Sequence, residues 1–175
     1  MNKPDLLLTT NQLRILPFNK GHLNTDYISW LNDPVLMKFS EQRHKKHSIE
    51  SCYTYIKSFD NTVNYFLALE NHKGALLGTM TLYQDLNNQL VDMGIMIGST
   101  ELRGKGLGQE AWTALSEWVI NKLKPRKLTA GCMISNIAMI HIMERSGMQP
   151  DGTRKKHYIL DGHEEDIIYM AKFLT

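Results

Sequence analysis

The sequence predicts a mixed α/β fold, with one central, mostly antiparallel twisted sheet of about seven strands and helices on both faces, in a single domain over residues 1–175. Three observations carry this expectation. Residues 63–97 read as a strand meander, with apolar alternation interrupted by short turn signals. A helical apolar period, a short apolar run and a second helical period then make a strand–helix–strand–helix unit. Finally, residues 153–160 and 165–173 flank Asp161-Gly162, a dipeptide that tolerates the left-handed backbone of a tight hairpin turn.

Each element has its own signal. Residues 13–16 form a first strand, stopped by Pro17, which has no amide to donate. Residues 24–31 form a short helix that ends near Asp33-Pro34. The polar residues 37–47 make a loop. Ser48 then caps a second helix with Ile49, Cys52, Tyr53 and Ile56 on one side. Residues 63–70 and 75–83 pair across a turn at 71–74, and Asn87-Asn88 turns the chain into a strand over 90–97. Leu107, Ala111, Ala114, Leu115 and Trp118 mark a helical face closed by Pro125. Residues 128–133 form a buried strand, and Ile134-Ser135-Asn136 leads into a helix that ends at Gly147.

Composition narrows the function. A chain of 175 residues with 42% hydrophobic and 22% charged residues builds an ordinary soluble core. No apolar run approaches about 18 residues, so no membrane span is expected. The N-terminal stretch has a three-leucine core and no small-residue cleavage site, so a cytoplasmic location is expected. Cys52 and Cys132 have neither metal-ligand spacing nor disulfide density, and read as buried thiols in a reducing compartment. A net charge of +2 is too small to imply nucleic acid. The basic stretch Arg43-His44-Lys45-Lys46-His47 lacks interleaved aromatics and runs into a helix cap. It reads as a solvated loop, or as a loop that meets a phosphorylated acceptor.

Arg103-Gly104-Lys105-Gly106-Leu107-Gly108 is the most informative segment. Glycines alternating with cations at a strand-to-helix junction make an anion cradle, because the first helical amides lack intrahelical acceptors and the helix dipole favours a phosphate. The nucleotide-triphosphate loop would need Gly-Lys-Ser/Thr, which is absent. The dinucleotide fingerprint would need G-x-G-x-x-G near a first strand, whereas here the spacing is G-x-G-x-G after several strands. The pattern Arg/Gln-x-x-Gly-x-Gly/Ala is met in full by Arg103, Gly106 and Gly108.

With this segment, the chain resembles the GNAT superfamily of N-acetyltransferases over nearly its whole length, and most closely the RimJ/RimL-type branch. Further features of the resemblance are Trp30-Leu31-Asn32-Asp33-Pro34, Glu41 with Arg43, Gly106-Leu107-Gly108-Gln109-Glu110-Ala111, and Asn136 with Met143-Glu144-Arg145-Ser146-Gly147-Met148. The resemblance implies acetyl-coenzyme A as cosubstrate. Its pyrophosphate would lie on Arg103, Gly104, Lys105, Gly106, Leu107 and Gly108, and its pantetheine arm along Ile95, Met96 and Ile97, with Asn136 beyond. It also implies a carbonyl-polarising amide near Met96 or Ile97. Many family members carry a thiolate-protonating tyrosine at the position of Met143; here Tyr158 or Ser135 are the replacements to consider, or the thiolate leaves unprotonated.

Transfer to an amine needs a base, a donor to the carbonyl oxygen and an exit for the thiolate. No metal is needed, and His141 and His157 are too far apart in sequence to suggest one. Strand alternation places Asp92, Gly94 and Met96 on one face, with Gly94 leaving space between its neighbours, so Asp92 is the first candidate base. Glu41 is the second. Trp30, Arg43 and Tyr83 are candidate acceptor contacts. The acceptor is a small amine such as an amino sugar, or alternatively a protein N-terminus; a coenzyme A binding module without catalysis is the rival class. A deep pocket with a cation points to the sugar, and an open channel between Glu41 and the terminal hairpin points to the peptide. A monomer or a homodimer remains open.

Overall fold

The computed structural model describes residues 3–98, 102 and 104–174. Its strands are β1 (Leu8–Thr9), β2 (Arg14–Pro17), β3 (Tyr65–Glu70), β4 (Leu76–Asp85), β5 (Leu90–Ile97), β6 (Lys127–Met133), β7 (Gln149–Leu160) and β8 (His163–Phe173). The helices are α1 (Thr25–Leu31), α2 (Ile49–Lys57), α3 (Leu107–Trp118) and α4 (Ile137–Arg145). Among the described residues the strands form one 8-stranded sheet in the order β1-β2-β3-β4-β5-β6-β8-β7. The strand that the sequence does not reveal is β1, whose two residues are too few to show alternation. The expected loop over 37–47 contains a 3₁₀ turn, Glu41–His44, capped by the Ser40 side chain.

Local chemistry accounts for the helix boundaries. Asn24 and Ser48 cap α1 and α2 by accepting from the amides of Tyr27 and Ser51. Helix α3 continues as a π turn, Val119–Leu123, and stops where Lys124 adopts a left-handed conformation before Pro125. Asn136 caps α4, and Gly147 (φ 76°) ends it.

The sheet alternation sorts side chains into two cores. Val91 and Met93 of β5, with Leu128 and Ala130 of β6, bury against Trp112 and Leu115 of α3. On the opposite face, Phe66 and Ala68 of β3 bury against Tyr27 and Leu31 of α1 and Cys52 of α2. Each large apolar side chain buried in this way contributes about 1.5–3 kcal/mol.

The segment 30–34 locks the second core to the sheet. The Trp30 ring lies against the backbone of Gly98, immediately after β5. Asn32 holds His47 from both sides, accepting from its amide and donating to its carbonyl, each at 2.9 Å. Asp33 Oδ1 accepts from the amides of Val35 and Leu36. The chain between α1 and α2 is thereby fixed as a roof over the sheet.

A Cβ at Gly98 would overlap the Trp30 ring. We expect Gly98→Ala to destabilise the fold by about 1–3 kcal/mol, as overpacking does. A urea titration checks this: the midpoint should fall while the slope is kept, and an unchanged midpoint would contradict the packing.

Candidate active site

The site begins where two strands separate. β5 pairs with β4 along its whole length, from Leu90 opposite Asp85 to Ile97 opposite Gly78. Its parallel pairing with β6 covers only Leu90, Val91 and Asp92, opposite Lys127, Leu128 and Thr129. β6 meanwhile stays with β8 as far as Met133. Beyond Asp92, therefore, one edge of β5 faces a gap.

Register decides which backbone groups face that gap. The Gly98 amide donates to Leu77 O at 2.8 Å, so Gly98 points toward β4. Backbone direction alternates along a strand, so Met96 and Gly94 also point toward β4, and Ile95 and Ile97 point into the gap. Of the three residues expected along the cofactor arm, Ile95 and Ile97 thus offer free backbone groups. Met96 does not, because its backbone is committed to Thr79, and its side chain packs in the α1–α2 core.

The gap opens into a cleft of about 400 Å³. Glu41, Asp92, Ile95, Asn136 and Tyr158, all singled out in the sequence, line it together. Thr129 Oγ1 donates to Asp92 Oδ2 at 2.8 Å. Asp92 opens onto the cleft, yet the surrounding protein displaces enough water to hold its carboxyl above the ordinary carboxylate range; the Thr129 hydrogen bond works in the opposite direction. Cys132 also lines the cleft, with its thiol pushed up to about 11 by burial, so it is not poised as a nucleophile. Asn136 Oδ1 is engaged by the Met139 amide at 3.3 Å as the cap of α4. Met143 is fully buried in the α3-side core, while Met139 reaches the cleft.

The glycine segment lies at the start of α3. Gly106 is the N-cap with φ 78°, and no side chain caps the helix. Gly104 is also left-handed, at φ 74°. Among the described residues, a Cβ on either glycine would meet no atom within 4 Å, so this face of the loop has room for a ligand. Leu107 anchors the loop in the core, Gly108 faces Ile142 of α4, and Lys105 is exposed. The first-turn acid Glu110 is drawn aside by Gln12, whose amide and side-chain nitrogen donate to it at 2.8 and 2.6 Å. Those hydrogen bonds hold the Glu110 carboxylate ionised and tie it to the chain before β2. Arg103 lies outside the described residues.

Three expected acceptor contacts do not line the cleft. Trp30 packs on Gly98. Arg43 is a tie: it pairs with Glu41 at 2.8 Å, donates to Ser40 O at 3.0 Å and donates to Ile159 O at 3.0 Å. Tyr83 stacks near Phe59 and shares a hydrogen bond with the Tyr55 hydroxyl. The space expected at Gly94 is taken by Thr81, whose Oγ1 would lie 2.7 Å from an added Cβ.

A second cavity, of about 470 Å³, lies under the roof between α1 and α2 and reaches the same stretch of β5 at Gly94 and Ile95. Tyr27, Tyr55, Thr79 and Thr81 contribute hydroxyls to its wall. The sequence carries one trace of it. Thr79 and Thr81 alternate within an otherwise apolar run over 76–82, so their side chains share one face. Among the described residues, no helix is long and apolar enough to cross a membrane.

A family profile described as acetyltransferase (GNAT) domain matches residues 12–149. The chain is 27% identical over 143 residues to an uncharacterised protein, MJ1062, of Methanocaldococcus jannaschii, covering 81% of this chain and 28% of that one. It is also 27% identical over 93 residues to the probable N-acetyltransferase YjcK of Bacillus subtilis, covering 52% and 51%. It therefore spans about half or less of the length of these two relatives. Among solved structures, spermidine N-acetyltransferase from Vibrio cholerae in complex with coenzyme A and spermine superposes with TM-score 0.84 at 16% identity, covering 94% and 97% of the two chains. RimL, a ribosomal alpha-N-protein acetyltransferase in complex with coenzyme A, superposes with TM-score 0.84 at 13% identity, covering 97% and 98%. At those identities the superpositions establish the fold. The profile match over most of the chain, together with the splayed sheet and the glycine-led helix inside it, makes this chain a member of the GNAT acetyltransferase family.

Proposed function

We propose that the protein is an acetyl-coenzyme A dependent N-acetyltransferase of RimJ/RimL type that acetylates a small-molecule amine by direct attack in a ternary complex. The observation that carries this reading is the free edge of β5, where Ile95 is shared by two cavities. One cavity adjoins the gap and α4, and takes the cosubstrate's thioester end. The other, under the roof, takes the acceptor. The uncapped amides at the start of α3 hold the pyrophosphate, with Gly104 and Gly106 allowing close approach and Lys105 supplying charge.

The residues divide the chemistry. The Ile95 or Ile97 amide, aimed into the gap, donates to the carbonyl oxygen as it gains negative charge. Asp92 accepts the amine's proton, directly or through water, and its raised affinity for protons brings it closer to the working range of a general base. Tyr158, half-buried in the cleft, is placed to protonate the departing thiolate, the role that buried Met143 cannot fill. Glu41 lines the same cleft but is paired with Arg43, which makes it the weaker base.

The acceptor is a small amine because the roofed cavity is enclosed by two helices and a fixed loop. A protein N-terminus is the second reading, favoured by the cleft between the Glu41 turn and the terminal hairpin. That cleft is bridged, however, by Arg43 to Ile159 O and by Lys38 to Asp161 at 3.0 Å, which narrows it against an extended chain. The proteins similar to this one include an enzyme named for spermidine and one named for a ribosomal protein, so fold likeness alone favours neither acceptor.

Thiol release from acetyl-coenzyme A, followed with a panel of small amines and short peptides, tests the assignment. Amine-dependent release is expected; cosubstrate binding without release for any acceptor would leave a binding module instead. Gly106→Val should weaken acetyl-coenzyme A by on the order of 100-fold, through loss of charge-assisted amide contacts. The added side chain meets no described atom, but valine is strained at φ 78°, so circular dichroism is recorded beside the affinity to show that the fold is kept. Unchanged affinity would refute the cradle.

Asp92→Asn should lower kcat about 100-fold and remove the acidic limb of the kcat/KM profile. The sign follows from the raised proton affinity: Asp92 is protonated and inactive at low pH, and activity rises as pH passes its folded value. By linkage, this group's contribution to stability falls as pH rises from the ordinary carboxylate value through that raised value. In urea titrations the Asn variant should therefore gain stability relative to the parent as pH increases across that window. A constant difference would contradict the displaced titration.

A further inference from the structure

We infer that the acceptor amine carries a phosphate group, recognised at the mouth of the roofed cavity by Lys45, Lys46 and His47. The inference rests on the reading above that this cavity takes the acceptor.

The first observation is the charge of the lining. Among the described residues, Lys45, Lys46 and His47 line the cavity and no Asp or Glu does. Five other lysines are paired with carboxylates: Lys38, Lys57, Lys127, Lys155 and Lys156. Among the described residues no carboxylate lies within ion-pair distance of Lys45 or Lys46, although both are exposed at the rim. A cation-lined mouth repels a polyamine and attracts an anion, and lysine ammonium groups are common phosphate partners.

The second observation is that the rim is built rather than loose. Asn32 grips the His47 backbone from both sides. The His47 ring donates through Nε2 to Gln42 O at 3.2 Å, which fixes the ring at the rim and leaves Nδ1 of the neutral ring as an acceptor for a ligand hydroxyl. Arg43 ties the turn before it to Ile159 O, and Ser48 starts α2 directly after it. Placement by rigid neighbours reduces the ordering cost of binding.

The third observation is the interior. Tyr27 is a buried wall residue, and its hydroxyl has no hydrogen-bond partner among the described residues. Burial pushes its phenol well above the ordinary range, so it stays a neutral donor and acceptor. Thr79 and Thr81, paired with Met96 and Gly94 of β5, line the same cavity. The cations are exposed at the rim, whereas Tyr27 and Thr79 are buried inside next to β5. That arrangement fits a compact polyhydroxylated amine with phosphate at the far end from its nitrogen. The positive rim also disfavours the protonated form of a bound amine, and only the neutral form attacks.

The test uses the full chain, isotopically labelled and saturated with coenzyme A so that the cosubstrate's own phosphate sites are filled. Glucosamine, glucosamine 6-phosphate, uridine 5′-monophosphate and spermidine are titrated separately while the amide spectrum is followed. The two phosphate probes distinguish a phosphate on the amine-bearing molecule from one in a nucleotide carrier. Saturable shifts at Lys45, Lys46, His47 and Tyr27 with either phosphate probe, weaker for glucosamine and absent for spermidine, are expected. Equal shifts for glucosamine and its phosphate, or none at these residues, would overturn the inference whatever the turnover.

In kinetics, Lys45→Ala/Lys46→Ala should reduce the kcat/KM preference for the phosphorylated over the unphosphorylated amine about tenfold, through KM, and added salt should erode the parent's preference. A preference unaltered by both would also overturn it. Phosphate-specific shifts without thiol release from acetyl-coenzyme A would leave the rim standing and remove the acetyl-transfer reading. Thiol release with no preference for phosphate would do the reverse.

Discussion

The early parting of β5 from β6 is the constraint on which the site depends. A strand inside a sheet normally spends its backbone groups on both neighbours. Here β5 is committed to β4 for eight residue pairs and to β6 for three, while β6 follows β8 for seven. The amides of Ile95 and Ile97 then face a gap in the interior of the sheet instead of a neighbouring strand. Buried backbone groups require partners. In the proposed function, an extended cosubstrate arm along this edge would supply the missing ladder, close to Asp92 where the strands separate.

The flanking structure keeps that gap usable. On one face, α3 packs Trp112 and Leu115 against β5 and β6 and directs its N-terminus to the rim of the gap. On the other face, α1 and α2 pack on β3, with the roof segment between them in the chain. Trp30, Asn32 and Asp33 hold that segment at Gly98, His47 and Val35, respectively. The roofed cavity lies beneath it. The conspicuous run Trp30-Leu31-Asn32-Asp33-Pro34 therefore acts through architecture, and Arg43 acts as a strap to the hairpin.

Much of this was legible in the residues. The hairpin around Asp161-Gly162, the cap at Ser48 and the helical face from Leu107 to Trp118 are local signals, and each is found in the fold. Asp92, Ile95, Asn136, Glu41 and Tyr158 were each suggested on separate grounds and line one cleft. What could not be read depends on register between distant strands. Which of Ile95, Met96 and Ile97 offers its amide is decided by the pairing of β5 with β4, and no spacing within β5 reveals it. The roofed cavity is hidden for the same reason, since Tyr27, Thr79 and Lys46 come from three separate elements. Where Trp30 and Tyr83 sit relative to the cavities likewise depends on packing between distant segments, Trp30 on Gly98 and Tyr83 beside Phe59.

The three-residue seam between β5 and β6 has a consequence for how the molecule coheres. β1 to β5 form consecutive antiparallel pairs, and β6, β7 and β8 form a second such group. The seam joins Leu90 to Lys127 across the whole of α3 by three residue pairs, against eight between β4 and β5 and seven between β6 and β8. The two groups are natural units of partial opening, with the seam as their weakest backbone junction. A ligand that lies in the gap bonds to one group through β5 and touches the other through β6 and α4. It serves as a splice between two half-sheets, and its occupancy couples their opening into a single event.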